Sequence, residues 1–255
     1  MSGDEVRKAV VIGASHGWGA HLATRLVEEG WQVTAVGRRP KPDLPPDELL
    51  RYLQVDVATE DGRAAVAAEL RERAPALIVY NAVSYGPRDA TLPPLAELEA
   101  TFLVNALVPY HLLLDHLAQR PTEEFCTCVV TNSDSIYHAN RYSGIYAASK
   151  AALRVLTTAL ASACQSRNAA VATLLLGPLA DEENFDKLRE IAERTNADLD
   201  MVMRRFLARS NQAYVIDSFL AYESCVKSVL AIASLGRDAN GMLCKLDGGS
   251  SGSLV

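Results

Sequence analysis

Apolar runs of strand length alternate with helical patterns along the whole chain, and this alternation constrains the fold more than any other feature. Several runs are nearly continuous, among them VVIG, LIVY and ATLLL. A strand that is covered on both faces has such a run, because neither set of its alternating side chains meets water. The sequence therefore predicts parallel strands at residues 8–13, 32–37, 51–55, 76–80, 125–131, 169–176 and 242–247.

Helical patterns lie between the predicted strands. Trp18, Leu22 and Leu26 recur at helical spacing, and Gly30 follows where that helix is expected to end. Regular alternation of strands and helices is typical of a doubly wound α/β fold. We therefore predict a single Rossmann-type domain over residues 1–255, with a seven-stranded parallel sheet flanked by helices.

Residues 180–218 interrupt the alternation after the sixth predicted strand. The segment begins with acidic residues and continues with apolar residues at helical spacing. An insertion after the carboxyl end of a strand lies over the ligand crevice in sheets of this kind. We interpret the segment as a substrate lid, and the alternative interpretation is a helical excursion that serves packing alone.

Charge and composition exclude several classes of protein. Asp and Glu outnumber Lys and Arg by 31 to 25, so the net charge of −6 disfavours nucleic-acid binding. The chain has no apolar stretch of the ~18 residues that a membrane span needs. Five cysteines without a CxxC pair indicate reduced core residues in a cytoplasmic protein, not a disulfide frame or a metal site. The mixed charges of residues 1–8 leave no room for a signal peptide.

The glycine-rich sequence GASHGWG follows the first predicted strand and precedes the first predicted helix. Glycine permits a sharp turn and a close approach of the backbone to a pyrophosphate, and the helix N-terminus then presents free N–H groups. In this position the pattern predicts nucleotide binding, although a purely structural turn is the alternative. The turn residues expected to bind the cofactor are Gly13, Ser15, His16, Gly17, Trp18 and Gly19.

The second predicted strand ends at Gly37 and is followed by Arg38 and Arg39. An NAD site usually carries an acidic residue at this position, which binds the ribose hydroxyls. An arginine instead pairs with the 2′-phosphate of NADP(H) through its planar fork. The sequence therefore predicts NADP(H), with Arg38 as the principal contact, although two solvated surface arginines would give the same pattern.

These features resemble the short-chain dehydrogenase/reductase family, and the resemblance covers nearly the whole chain. The glycine turn, a Tyr-x-x-x-Lys motif and a terminal Asp-Gly-Gly all occur in the order typical of the family. The resemblance implies that the cofactor also contacts Asp56, Val57, Asn81, Ala82, Val83, Tyr146, Lys150, Gly177 and Pro178. It implies a catalytic set of Ser133, Tyr146, Lys150 and Asn105, and assembly as a homodimer or homotetramer.

Two positions depart from the family pattern near the expected nicotinamide. Val83 replaces the glycine that follows the Asn-Ala pair, and it narrows the space beside the cofactor. The threonine that usually follows Gly177-Pro178 is absent, and Ala180 and Asp181 lie nearby instead. Both departures concern the position of the nicotinamide and leave the predicted fold unchanged.

Tyr146 and Lys150 are four residues apart, so on a helix they lie on one face. A neighbouring ammonium group is expected to lower the pKa of the tyrosine and to suit it to proton exchange with a carbonyl or alcohol. Ser133 is expected to polarise the substrate oxygen, and its spacing from Tyr146 favours it over Ser135. An ordinary amphipathic helix is the alternative explanation of the Tyr–Lys pair.

Asn105 precedes Pro109 by four residues in one predicted helix. Proline has no N–H to donate to the carbonyl of residue 105, so we expect a kink and a free carbonyl. This carbonyl is suited to hold a water on a proton route to Lys150, as the resemblance implies for the family asparagine. A tolerated proline kink without catalytic meaning is the alternative.

Substrate contacts are expected from two loops. Polar side chains near Ser133, Tyr146 and the fourth strand suit an oxygen-rich or acidic substrate, although solvated loop residues would look the same. The candidates are Tyr85, Arg88, His138, Asn140, Arg141 and Tyr142. We therefore predict NADP(H)-dependent reduction of a ketone or aldehyde. The alternatives are an epimerase or dehydratase with bound NADP, and a non-catalytic dinucleotide sensor that binds a protein.

Overall fold

A computed structural model of the chain describes residues 6–40, 42–87, 92–120, 123–139 and 143–251. Its strands are β1 (Lys8–Ile12), β2 (Gln32–Gly37), β3 (Leu50–Gln54), β4 (Leu77–Tyr80), β5 (Cys126–Ser133), β6 (Ala169–Leu176) and β7 (Leu243–Leu246). They form one sheet of seven parallel strands in the order β3-β2-β1-β4-β5-β6-β7. The predicted fold class is confirmed, and every strand lies at its predicted place.

Helices follow most strands, as the alternation predicts. They are α1 (Gly17–Glu28), α2 (Glu60–Arg73), α3 (Leu95–Phe102), α4 (Val108–Gln119), α5 (Gly144–Ala163), α6 (Glu182–Thr195), α7 (Leu199–Ser210) and α8 (Tyr222–Ser234). A π-helical turn, Leu103–Leu107, joins α3 to α4.

The sheet separates two apolar layers, which explains why its strands read as continuous apolar runs. Alternate residues of β1 enter opposite layers: Ala9 and Val11 pack in one, and Val10 and Ile12 in the other. The first layer is covered by α1 and α8, and the second by α2, α4 and α5. Both faces of each central strand are therefore withheld from water.

The insertion at residues 180–218 forms α6 and α7, which pack on each other around a small apolar cluster of their own. Side-chain caps start both helices, since Asp181 accepts from the Asn184 N–H and Asp198 from the Met201 N–H. The ends of the insertion meet where Leu179 pairs with Leu220. The insertion therefore leaves the sheet and returns to it at one place.

The strand order reverses between β1 and β4, which both pair with their neighbours in parallel. A crevice forms outside the carboxyl ends of the strands at such a switch point, because the connections on either side turn in opposite directions. Candidate residues that follow β1, β4 and β5 are thereby brought to one edge of the sheet. Within the described ranges, no helix combines the length and the apolar character that crossing a membrane requires.

Candidate active site

The three glycines of the turn after β1 have different structural roles. A Cβ atom on Gly13 would lie 2.3 Å from the Ala82 backbone nitrogen, and one on Gly19 would lie 2.1 Å from the Gly13 carbonyl oxygen. Gly17 has a φ of +59°, and a Cβ atom there would meet no clash, since its only neighbour within 4 Å is the Tyr222 hydroxyl at 3.6 Å. Gly13 and Gly19 therefore pack the turn against its neighbours, whereas Gly17 leaves room for a phosphate at the N-terminus of α1.

A cavity of about 720 Å³ lies at this edge of the sheet. Its lining contains most of the residues that the sequence assigned to the cofactor, namely Gly13, Ser15, His16, Gly17, Trp18, Arg38, Asp56, Val57, Asn81, Ala82 and Val83. Six of the assigned residues do not line it, namely Gly19, Arg39, Tyr146, Lys150, Gly177 and Pro178. The backbone N–H of Gly177 donates to the Leu246 carbonyl at 2.9 Å, so this residue fixes the end of β6 to β7.

The end of the cavity nearest β2 carries the charged groups expected at the adenosine ribose. Arg38 is exposed and lines the cavity, and Asp43 lies on the same wall. Sequence reasoning missed Asp43, which the Ser15 carbonyl holds in place by accepting its backbone N–H at 2.8 Å. The pKa of His16 is lowered by burial and then by Arg39, so this imidazole is neutral near pH 7.

Asn81 fastens the end of β4 to the glycine turn. Its Nδ2 donates to the Gly13 carbonyl at 3.1 Å, and its Oδ1 accepts from the Thr131 hydroxyl at 3.2 Å. The same asparagine therefore ties the ends of three strands together at the floor of the cavity.

Ser133, Tyr146 and Lys150 converge beside this floor. The Tyr146 hydroxyl is hydrogen-bonded to Ser133, and the Lys150 ammonium donates to the Thr131 carbonyl at 3.1 Å. Ser135, the alternative serine, points its hydroxyl into the interior, where it is buried without a hydrogen-bond partner. The structure therefore places Ser133, and not Ser135, against the tyrosine.

Burial reverses the expected direction of the tyrosine's pKa. The sequence predicted that Lys150 lowers the pKa of Tyr146, but burial raises that pKa above its usual value, with a further rise from Tyr85. Burial also lowers the pKa of Lys150 to about 8, because an ammonium loses its hydration in the interior. The prediction was wrong because it considered one charged neighbour and left out the loss of solvent around both groups.

The Asn105 side chain is buried and fully used. Its Oδ1 accepts from the Ser84 N–H at 2.8 Å, and its Nδ2 donates to the Ser84 carbonyl at 2.7 Å and to the Ser149 hydroxyl at 2.9 Å. It therefore joins the loop after β4 to α5. The residue lies within the π-helical turn that precedes Pro109, a local widening of the kind expected where a proline disrupts the hydrogen bonds of a helix.

The candidate substrate residues have different surroundings. The ring of Tyr85 lies 5.3 Å from the ring of Tyr146 and lines the cavity. His138 instead faces Asp134 and Tyr214, neither of which the sequence suggested. Tyr142, Arg88, Asn140 and Arg141 lie outside the described residues.

The start of the insertion forms one wall of the cavity. Asp181, Glu182 and Glu183 of the insertion line it, together with Leu179 just before the insertion and Tyr222 of α8. The beginning of the predicted lid therefore does lie at the crevice. Among the described residues, no group of three or more His, Cys, Asp or Glu side chains is arranged to hold a metal ion.

A family model and several solved structures match this chain. The family model for short chain dehydrogenases matches residues 7–190. A short chain dehydrogenase family protein from Francisella tularensis subsp. tularensis SCHU S4 superposes with a TM-score of 0.81 at 16% identity, over 98% of this chain and 100% of the other. No curated protein matches the chain in sequence.

Two further structures of similar shape were solved with nicotinamide cofactors. L-Sorbose reductase from Gluconobacter frateurii, in complex with NADPH and L-sorbose, gives a TM-score of 0.80 at 19% identity over 99% of both chains. 4-Hydroxyisoleucine dehydrogenase complexed with NADH gives 0.81 at 18% identity, over 97% of this chain and 99% of the other. At identities of 16–19%, the similarity to these solved structures shows only that the fold is shared. The family model, in contrast, matches the sequence over most of the chain. The chain therefore belongs to the short-chain dehydrogenase family of oxidoreductases.

Proposed function

We propose that the protein is an NADP(H)-dependent reductase that converts a ketone or aldehyde into an alcohol. The observation that supports this most directly is the convergence of Ser133, Tyr146 and Lys150 at the sheet edge that also carries the open glycine turn. Neither feature alone implies the reaction, because a glycine turn binds many nucleotides and a Tyr–Lys pair occurs on many helices. Their placement at one edge of the sheet is what favours carbonyl reduction.

The cavity fits a dinucleotide. Gly17 leaves its Cβ position open at the helix N-terminus where a pyrophosphate would bind, Asp56 lines the adenine side, and Arg38 stands where a 2′-phosphate would lie. When bound there, the nicotinamide supplies the hydride, and the protein supplies position and proton chemistry. The structures of similar fold contain NADPH or NADH, so the choice of NADP(H) depends on Arg38.

Tyr146 is the proton donor in this proposal. Its raised pKa keeps the phenol protonated near pH 7, which suits a group that must give a proton to a carbonyl oxygen. Ser133 shares a hydrogen bond with that phenol, so the two hydroxyls together define the place of the substrate oxygen. Lys150 returns a proton to the tyrosine, and its pKa of about 8 lets it do so close to neutral pH.

The substrate is proposed to carry several oxygen atoms. The cavity lining near the tyrosine contains two residues with hydroxyl groups, Ser84 and Tyr85. Such groups bind hydroxyl or carboxylate oxygens and give little to a plain hydrocarbon ketone. A screen for activity is therefore best begun with hydroxyketones, sugar ketones and oxo acids.

The rate of carbonyl reduction is expected to fall as the pH rises through about 8, because Lys150 loses its proton there. Below that pH the lysine is charged and can return a proton to Tyr146. The measurement is a pH profile of kcat for the wild type and for Lys150→Met. The variant should be slow and should lack this fall, whereas an unchanged profile in the variant would show that another group titrates.

Arg38→Gln is expected to weaken NADPH binding by about ten- to a hundredfold, the usual loss for one charge-assisted hydrogen-bonded contact. NADH binding should change little, because NADH has no 2′-phosphate for the arginine to contact. Isothermal titration of both cofactors measures this selectivity. Arg71→Gln, at an exposed arginine of α2 outside the cavity, is the matched control. Equal loss for both cofactors would contradict the assigned 2′-phosphate contact.

A further inference from the structure

A buried carboxylate directly follows the candidate catalytic serine. Asp134 is 5% exposed, and its Oδ1 lies 3.5 Å from the Ser133 hydroxyl. The Tyr214 hydroxyl donates to its Oδ2 at 2.5 Å, and His138 Nε2 lies 3.3 Å from the same oxygen without the alignment of a hydrogen bond. Burying a carboxylate lowers the stability of a protein unless polar groups compensate for its lost hydration. These contacts therefore offset the free-energy cost of burying Asp134.

Tyr214 comes from a distant part of the chain. It lies after α7, in the stretch 211–216 that leads the insertion back to the sheet, and we name this stretch the return segment. Asn211 donates to the Ser250 hydroxyl at 2.9 Å, and the Val215 N–H donates to the Gly248 carbonyl at 2.8 Å. The return segment is thus held against the loop after β7, and Tyr214 is its contact with the turn that follows β5.

The ring of Tyr214 also packs edge-on against His138, with centroids 6.2 Å apart. Burial and the Asp134 carboxylate both raise the pKa of Tyr214, which therefore remains a hydrogen-bond donor. Three groups therefore face Asp134. The Tyr214 hydroxyl comes from the return segment, and the Ser133 hydroxyl and the His138 imidazole come from residues close to Asp134 in the sequence. The carboxylate forms the link between the insertion and the serine.

The Ser133 hydroxyl has one proton to donate. Its oxygen accepts from the Ser135 N–H at 3.2 Å, and it shares a second hydrogen bond with Tyr146. The proton is directed to Asp134, to the Tyr146 oxygen or to a substrate oxygen, because a hydroxyl donates only once. The distance of 3.5 Å to Asp134 is too long for a strong bond, so a substrate oxygen can take the proton over.

We propose that Asp134 is a positioning residue that acts in two directions. Through Tyr214 it holds the return segment on the catalytic edge, and through its own Oδ1 it orients the Ser133 hydroxyl before substrate binds. The second part rests on the proposed function, whereas the first part concerns only the protein itself. Asp134 therefore couples the position of the return segment to the geometry of the serine.

Hydrogen exchange of the full-length protein tests the first part. Tyr214→Phe keeps the ring contact with His138 and removes only the hydroxyl, and Asp134→Asn keeps an acceptor oxygen and removes the charge. In both variants we expect amides of the return segment to exchange about tenfold faster or more, the usual effect of losing a hydrogen bond to a charged group. Unchanged exchange in Tyr214→Phe would overturn the link, even if Asp134→Asn proves too unstable to study.

Two matched controls separate this link from general loosening. Tyr110→Phe changes a partly buried tyrosine of α4, and Asp186→Asn removes an exposed ion pair with Arg189 on α6. Both should leave exchange in the return segment unchanged. Faster exchange in the controls as well would mean that the segment responds to any loss of stability, and the link would be rejected.

A double-mutant cycle tests the second part. Asp134→Asn should lower kcat several-fold when residue 133 is serine and should have no further effect in the Ser133→Ala background. A merely structural role predicts the same fold loss in both backgrounds and would overturn the orientation of Ser133. If the wild type reduces no carbonyl compound, the proposed function and this second part both fail, and hydrogen exchange still decides the link to the insertion.

Discussion

Tyr146→Phe is expected to lower kcat for carbonyl reduction by about a thousandfold, within the range that general acid catalysis contributes. The substitution removes only the hydroxyl, and the ring keeps its contact with Tyr85. The lost group is the one whose raised pKa keeps a proton ready at the substrate oxygen. Ser133 remains to bind that oxygen, but serine does not replace the tyrosine as an acid.

The cofactor affinity separates this effect from damage to the fold. NADPH should bind to Tyr146→Phe within a few-fold of the wild type, because the proposed phosphate contacts lie on the glycine turn and Arg38. Tyr110→Phe, on α4, should retain full activity and serves as the control. A Tyr146→Phe protein that keeps more than a tenth of the wild-type kcat would remove the tyrosine from the mechanism.

Gly19→Ala is expected to lower the free energy of unfolding by about 1–3 kcal/mol, the usual cost of forcing an atom into a packed site. The new Cβ would lie 2.1 Å from the Gly13 carbonyl oxygen and 2.8 Å from Asn81 Nδ2. Because the first contact is backbone, no side-chain rotation relieves it. The turn must shift, so NADPH binding should be lost along with stability.

Gly30→Ala is the matched comparison for this substitution. Gly30 follows the end of α1 with a φ of +79°, and nothing lies within 4 Å of its Cβ position. Gly30→Ala should lower the free energy of unfolding by about 1–2 kcal/mol, because alanine disfavours the left-handed backbone conformation. It should leave the NADPH affinity unchanged. Urea unfolding and cofactor titration measure the two effects. Normal NADPH binding in Gly19→Ala would show that the turn tolerates the shift.

The strands could be predicted because their cause is local. A strand buried on both faces is apolar throughout, so runs such as LIVY identify β4 without any knowledge of its partners. The candidate site at the glycine turn was predictable for the same reason, since its backbone conformation depends on a few adjacent residues. Pro109 likewise marked the helix that the structure interrupts with a π-helical turn.

The parts that sequence reasoning missed depend on contacts between distant residues. Tyr214 reaches Asp134 across 80 positions, and nothing in either local sequence indicates the other. The pKa of Tyr146 was assigned the wrong direction because spacing shows a neighbouring lysine but does not show how deeply both groups are buried. Burial is a property of the assembled layers, so pair spacing alone cannot give it.

We propose that the chain reduces a carbonyl compound with NADPH. The most direct test follows NADPH oxidation by the purified protein over a panel of hydroxyketones, sugar ketones, oxo acids and aldehydes, with NADH as the comparison. The predicted result is that at least one compound gives one alcohol per NADPH consumed, with NADH markedly less effective. No oxidation of NADPH with any member of the panel, by a protein that binds NADPH, would contradict the claim and favour a dinucleotide sensor.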